Sequence, residues 1–184
     1  LSQDRIAFLT YAMMAAGCGG DVIFRIDPQY LNKELWILEQ LGCICHKDKN
    51  QVRVKQSSVI RPVPYIRTGP YPEYPTDGQS LLLAVLAKAN GVSTVEEMVF
   101  ENRFQVVNQL HKMGANIDHV SNRVQITGVT RLHGAMLKAT DLRSGAALLI
   151  AAAMAEGKSV ICQENYILRG YESITENMNG IGLA

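Results

Sequence analysis

Three aspartates, Asp4, Asp77 and Asp141, each open an apolar run of this 184-residue chain. Arginines accompany them. Arg5 and Arg143 follow two of the aspartates, and Arg103 and Arg169 precede or begin amphipathic runs further along. A lone arginine is ordinarily a solvated surface charge. Four at related positions favour recognition of a carboxylate or phosphate, because the planar guanidinium offers paired donors to paired oxygens. A carboxylate among them can take up a proton as a general base. Taken singly, each aspartate reads first as an N-cap or first-turn acid serving its own helix. Thr76-Asp77-Gly78-Gln79 also has the spacing of a capping box, Thr76 to Gln79. Taken together they point further. Parallel helices about a common axis gather their exposed amides and dipoles on one rim, where anions are favoured. The loop Thr68 to Pro75 leads straight into Asp77 and holds Pro70, Pro72 and Pro75. Such a stiffened loop suits a substrate-binding rim, and equally a structural connector.

The elements that must position these residues recur in step with them. Each aspartate-led run closes on a glycine (Gly20, Gly91, Gly157), and a short β-type run follows: Val22 to Phe24, Val95 to Val99 and Val160 to Cys162. An amphipathic run then ends in Leu41-Gly42, Met113-Gly114 or Ile181-Gly182. The period is about 70 residues, too long for most solenoids. It fits three units about a pseudo-threefold axis, near 1–58, 59–130 and 131–184. The helices expected near 4–17, 77–90 and 141–156 are apolar nearly all round, which predicts burial on every side. The second helix of each unit carries one apolar stripe: Leu31, Leu35, Leu38 and Leu41; Phe104, Val107, Leu110 and Met113; Tyr171, Ile174, Met178 and Ile181. Hairpins are expected at Cys43–His46 with Val52–Lys55 around Lys47 to Asn50, and at Ile117–Val120 with Val124–Ile126 around Ser121-Asn122. Strands are expected at Val59–Ile66 and Ala135–Leu137, ahead of the second and third aspartates. The first unit lacks that strand and the third lacks its hairpin. This predicts a piece of a longer protein, trimmed at both ends. The fold class is α/β (α+β), an inside-out α/β barrel with helices within and strands without.

Composition narrows the function. Lys and Arg number 18 against 17 Asp and Glu, which argues against a bulk electrostatic binder of nucleic acid. The longest apolar stretch, Gly145 to Ala155, is too short to span a bilayer. No signal peptide is visible, and a cytoplasmic location is expected. Cys18, Cys43, Cys45 and Cys162 are scattered, and Cys43-Ile44-Cys45 lacks zinc-site spacing. They read as reduced, buried thiols. No metal site and no cofactor are expected.

Four segments carry a resemblance: Tyr71–Gln79 (YPEYPTDGQ), Val99–Phe104 (VFENRF), Ala139–Ser144 (ATDLRS) and Arg169–Glu172 (RGYE), with Asp4-Arg5-Ile6 before them. In this order and over almost the whole chain, the sequence closely resembles the UDP-N-acetylglucosamine enolpyruvyl transferases, early enzymes of peptidoglycan synthesis. The resemblance implies two similar domains of three βαβαββ units with buried helices, and an active site in the cleft between them. This chain resembles the C-terminal of the two. By resemblance, Asp77 contacts the attacking sugar hydroxyl as candidate general base. Val99, through its backbone, and Phe100 meet the sugar nucleotide. Arg103 and Arg143 bind the carboxylate of phosphoenolpyruvate, and Arg169 lies on its phosphate side. Asp141 stands near the reacting carbons and helps to handle protons. Asp4 and Arg5 fall among the substrate-binding residues.

The resemblance also implies an absence. The family's reactive cysteine, a lysine and an arginine of the phosphate site, and most uridine contacts belong to the other domain. The chain is thus expected to hold half an active site and to be inactive alone, its partners being the two substrates and the missing N-terminal domain. Two alternatives stand beside this: an enolpyruvylshikimate phosphate synthase domain of the same fold, and a non-catalytic domain that binds an anion or a protein. VFENRF beside YPTDGQ favours the sugar-nucleotide branch over the shikimate one.

Overall fold

The computed structural model describes residues 4–57, 59–171 and 174. Its helices are α1 (Arg5–Cys18), α2 (Asn32–Gln40), α3 (Gln79–Leu86), α4 (Gln105–Lys112), α5 (Leu142–Ala153) and α6 (Asn165–Leu168). Its strands are β1 (Asp21–Phe24), β2 (Ile44–Asp48), β3 (Gln51–Lys55), β4 (Tyr65–Arg67), β5 (Val92–Glu96), β6 (Asn116–Val120), β7 (Arg123–Thr127), β8 (Met136–Lys138) and β9 (Val160–Cys162).

The repeat is visible in how the sheets overlap. The middle sheet has the order β4-β5-β7-β6, with β4 and β5 parallel and the other pairs antiparallel. The first sheet, β1-β3-β2, reproduces its last three strands. The third, β8-β9, reproduces its parallel pair. The sheets are separate and lie outside the helices.

α1, α3 and α5 pack against one another. All eight residues of α3 are buried, as are Ala12 to Ala16 of α1 and Ser144 to Leu148 of α5. Removing such all-apolar surfaces from water is the main stabilising term of the domain. The helices run the same way. Arg5 of α1 reaches the Glu73 carbonyl ahead of α3, and Asp77, also ahead of α3, meets Arg143 in the first turn of α5. At the other end Lys88, beyond α3, donates to the Met154 carbonyl beyond α5. α2 and α4 are outer helices that bury their stripes: Leu31, Leu35, Leu38, Leu41, Phe104, Val107, Leu110 and Met113 are all buried. Tyr171 and Ile174 of the third stripe are buried too; Met178 and Ile181 lie outside the described residues.

Several boundaries differ from expectation for local reasons. Of Val59–Ile66, only Tyr65 and Ile66 join a strand, because Pro62 and Pro64 offer no amide to a ladder. β5 ends at Glu96, before Val99, because the next amides turn to a side chain described below. α3 is shorter than 77–90: a 3-10 turn over Thr76–Gly78 precedes it, and Lys88 and Ala89 close it with i→i−3 bonds. The first hairpin turns at Lys49-Asn50, within the expected four residues. The cysteines are free, but only Cys43 is buried as expected: Cys18 and Cys45 are partly buried, and Cys162 is exposed on the outer face of β9.

Candidate active site

Asp77 sits in the 3-10 turn that leads into α3. Its carboxylate does not cap the helix, and Thr76 forms no capping box. The Thr76 hydroxyl donates instead to Glu97 Oε2 at 2.9 Å. Both Asp77 oxygens face arginine. Arg103 Nη2 donates to Oδ1, and Arg143 Nε and Nη2 donate to Oδ2 at 3.3 and 3.2 Å. These side chains are only partly exposed: Asp77 36%, Arg103 24% and Arg143 21%. Partial burial strengthens such charge-assisted contacts.

Each arginine is held from behind. The Arg103 guanidinium lies 4.9 Å from the Phe100 ring centroid. Arg143 Nη1 donates to the Tyr171 hydroxyl at 2.8 Å, and that hydroxyl is 2.8 Å from Thr10 Oγ1 on α1. Thr10 and Tyr171 are both buried. A continuous polar chain therefore joins α1, the turn before α3 and α5, the three central helices. Tyr171 stands within the RGYE segment but reads in sequence as one member of an apolar stripe. Its hydroxyl contacts lie 28 and 161 residues away, beyond the reach of local patterning.

The other predicted residues divide. Asp4 and Asp141 are caps. Asp4 accepts from the Ile6 and Ala7 amides, and Asp141 from those of Arg143 and Ser144 in a full capping box with Ser144. Both are exposed at helix starts. Arg5 is drawn away from Asp77. It pairs with the buried Glu34 of α2, donates to the Glu73 carbonyl at 3.1 Å and covers the Tyr71 ring. Burial pushes the Glu34 carboxyl up, against the opposing pull of Arg5. Val99 and Phe100 are exposed on the loop after β5, with both amides bound to Glu97 Oε1 at 2.9 and 3.2 Å. Arg169 is exposed beyond α6 and has no side-chain partner among the described residues. Its neighbour Gly170 packs on Leu142 in the first turn of α5. The structure thus joins Asp77, Arg103 and Arg143 directly. Asp141 and Arg169 stand at the same α5 end, and Arg5 is tied to a second polar cluster.

No group of three or more His, Cys, Asp or Glu among the described residues is placed to hold a metal ion. No described helix is long and apolar enough to cross a membrane. Chemically, the assembled group can accept a proton and hold an anion.

Known proteins match this chain along nearly its whole length. The family model for EPSP synthase (3-phosphoshikimate 1-carboxyvinyltransferase) matches residues 2–178. A UDP-N-acetylglucosamine 1-carboxyvinyltransferase of Kosmotoga olearia is 41% identical over 180 residues, covering 97% of this chain and 42% of the relative. One from Desulfofundulus thermocisternus is 39% identical, covering 97% of this chain and 74% of the relative. The solved enolpyruvyl transferase NikO from Streptomyces tendae superposes with a TM-score of 0.84 at 24% identity, over 97% of this chain and 43% of its own, which is a likeness of fold. The chain spans less than half the length of the Kosmotoga relative. On the extent of these matches, the chain belongs to the EPSP synthase family of enolpyruvyl transferases, among its UDP-N-acetylglucosamine 1-carboxyvinyltransferase members.

Proposed function

We propose that this chain is the C-terminal domain, in three units near 1–58, 59–130 and 131–184, of a cytoplasmic enolpyruvyl transferase of peptidoglycan biosynthesis. The parent moves the enolpyruvyl group of phosphoenolpyruvate to the 3'-hydroxyl of UDP-N-acetylglucosamine. The observation that carries this is the carboxylate of Asp77 held between Arg103 and Arg143 at the start of the central helices. In this reading the two arginines take the carboxylate of phosphoenolpyruvate. Asp77, which these arginines hold at the start of the central helices, faces the sugar. There it accepts the hydroxyl proton as the oxygen bonds to the central carbon of the enol. The terminal carbon is protonated in the same addition. Phosphate then leaves and that carbon gives up a proton, restoring the double bond. Asp141, near the reacting carbons, helps to handle these protons, and its charge favours the oxocarbenium character that develops within each step. Arg169 faces the phosphate, Val99 and Phe100 the sugar nucleotide, and Asp4 borders the site at the start of α1, whereas Arg5 stays paired with Glu34. No cofactor enters the balance.

The shikimate alternative shares the family model, but the relatives at about 40% identity carry the sugar-nucleotide name. The test is made in the parent protein. Phosphate release from phosphoenolpyruvate should require UDP-N-acetylglucosamine and not respond to shikimate 3-phosphate. Asp77→Asn should keep the fold and lower turnover by about 10²–10⁴, as expected for losing a positioned base. A response to shikimate 3-phosphate alone, or near-normal turnover in Asp77→Asn, would overturn the reading.

A further inference from the structure

Glu97 is buried, with 2% of its surface exposed, and no cation pairs with it among the described residues. Its carboxylate is nevertheless fully engaged. Oε2 accepts from the Thr76 hydroxyl at 2.9 Å, and Oε1 accepts from the amides of Val99 and Phe100 at 2.9 and 3.2 Å. Its backbone is fixed as well. The Glu97 amide donates to the Asn122 carbonyl at 2.8 Å, and Asn122 Nδ2 donates back to the Glu97 carbonyl at 3.2 Å. The β6–β7 turn thus anchors Glu97 as a post. On one side of the post stands Thr76, next to Asp77. On the other stands the loop that carries Val99, Phe100 and Arg103. Burying a carboxylate is costly unless its oxygens are satisfied, and only an all-acceptor group takes three donors at once without reorienting any of them.

We propose that Glu97 is a positioning residue that holds the Asp77 turn and the Val99–Arg103 loop in one register, so that the sugar-nucleotide edge and the carboxylate–arginine cluster are set together. The functional half of this rests on the transferase reading above; the coupling half does not. Glu97 touches no reacting atom. It acts through Thr76 on Asp77, and through the two amides on the loop.

Hydrogen exchange on the full 184-residue chain tests the coupling. Glu97→Ala should speed exchange at Val99 and Phe100 by about tenfold or more, the scale of losing a hydrogen bond to a charged group. Thr76→Val is the sharper probe, since Thr76 bonds to neither amide. If the post couples the two segments, exchange at both amides should still rise about threefold, with the urea midpoint little changed. Glu97→Gln keeps an oxygen for the amides and lets the Thr76 hydroxyl accept, so it should stay near the original protein. In the parent, Thr76→Val should raise KM for UDP-N-acetylglucosamine more than it lowers kcat, and Glu97→Gln should restore most of what Glu97→Ala loses. Unchanged exchange at Val99 and Phe100 in Thr76→Val overturns the proposal, whether or not Glu97→Ala folds. If the parent releases no phosphate with either substrate pair, the transferase reading fails, and the exchange result still decides the coupling.

Discussion

Asp4, Asp77 and Asp141 hold the same place in three units, yet their carboxylates do different work. Asp4 and Asp141 accept amides of their own helices, the role their position predicts. Asp77 accepts from Arg103 and Arg143, which are 26 and 66 residues away. The aspartate and arginine positions were legible as a set, because three coincident capping signals with arginines nearby are more than one helix needs. Which aspartate would meet the arginines was legible only through the family motifs, since pairing across units leaves no local spacing. Arg5 shows the same limit. It shares the Asp-Arg arrangement of a site residue, but Glu34 holds it at the base of the Tyr71–Glu73 loop. Arg5→Ala should therefore destabilise the chain by about 3 kcal/mol at pH 7, the scale of stranding one member of a buried ion pair. The pH dependence follows from Glu34. Its carboxyl is already raised by burial, and losing Arg5 raises it further. The penalty applies where the carboxyl is ionised, above its folded pKa. It fades as pH falls toward the unfolded glutamate value of about 4.3. Urea unfolding of both proteins at neutral pH and near pH 4 checks this; a deficit that grows on acidification would contradict it.

Between elements, contact is made by backbone as much as by side chain. The central helices were legible because their apolar residues cover every face, and the outer ones because theirs form a stripe. The connections were less so. Val59–Ile66 reads as β by composition, but its prolines keep most of it out of the ladder. Val95–Val99 reads as one strand, but Glu97 draws its last residues into a loop. Neither effect lies in hydrophobic periodicity. Gly128 shows how closely the backbone packs within the second unit. Its amide donates to the Gly91 carbonyl at 3.0 Å, and Val129 N–H donates to the Ala87 carbonyl at 2.8 Å. A Cβ on Gly128 would overlap the Ala89 carbonyl, which has no freedom to rotate aside. Gly128→Ala should thus cost about 3 kcal/mol, the upper range for overpacking a tight contact. Gly19 offers the comparison: a Cβ there meets no atom within 4 Å, so any loss in Gly19→Ala comes from its left-handed backbone, φ +84°, alone. Thermal unfolding that ranks Gly128→Ala no worse than Gly19→Ala would refute the contact argument.

Across the whole molecule, the three-helix centre presents one end bearing a base candidate, two arginines and an apolar rim, and that end is exposed among the described residues. Asp141, Arg169, Val99 and Phe100 are exposed, and so is Met98 next to Val99. Enolpyruvyl transfer passes through a transition state with oxocarbenium character. Fixed charges stabilise such a state strongly only where water is excluded. In contact with bulk solvent, the same carboxylates and guanidiniums lose most of that leverage to screening. A surface with these groups about a fifth to a third exposed is not expected to shelter the reaction by itself. The chain covers 42% of the Kosmotoga relative, which leaves ample length for a second body to close over this end. We therefore expect the 184-residue chain, mixed with phosphoenolpyruvate and UDP-N-acetylglucosamine, to release no phosphate above background. Joined to the remaining part of a relative's sequence, it should regain turnover, and the Met98–Phe100 loop should become protected from hydrogen exchange. Phosphate release by the chain alone would mean that these residues exclude water without a covering body, and the half-site reading would fall.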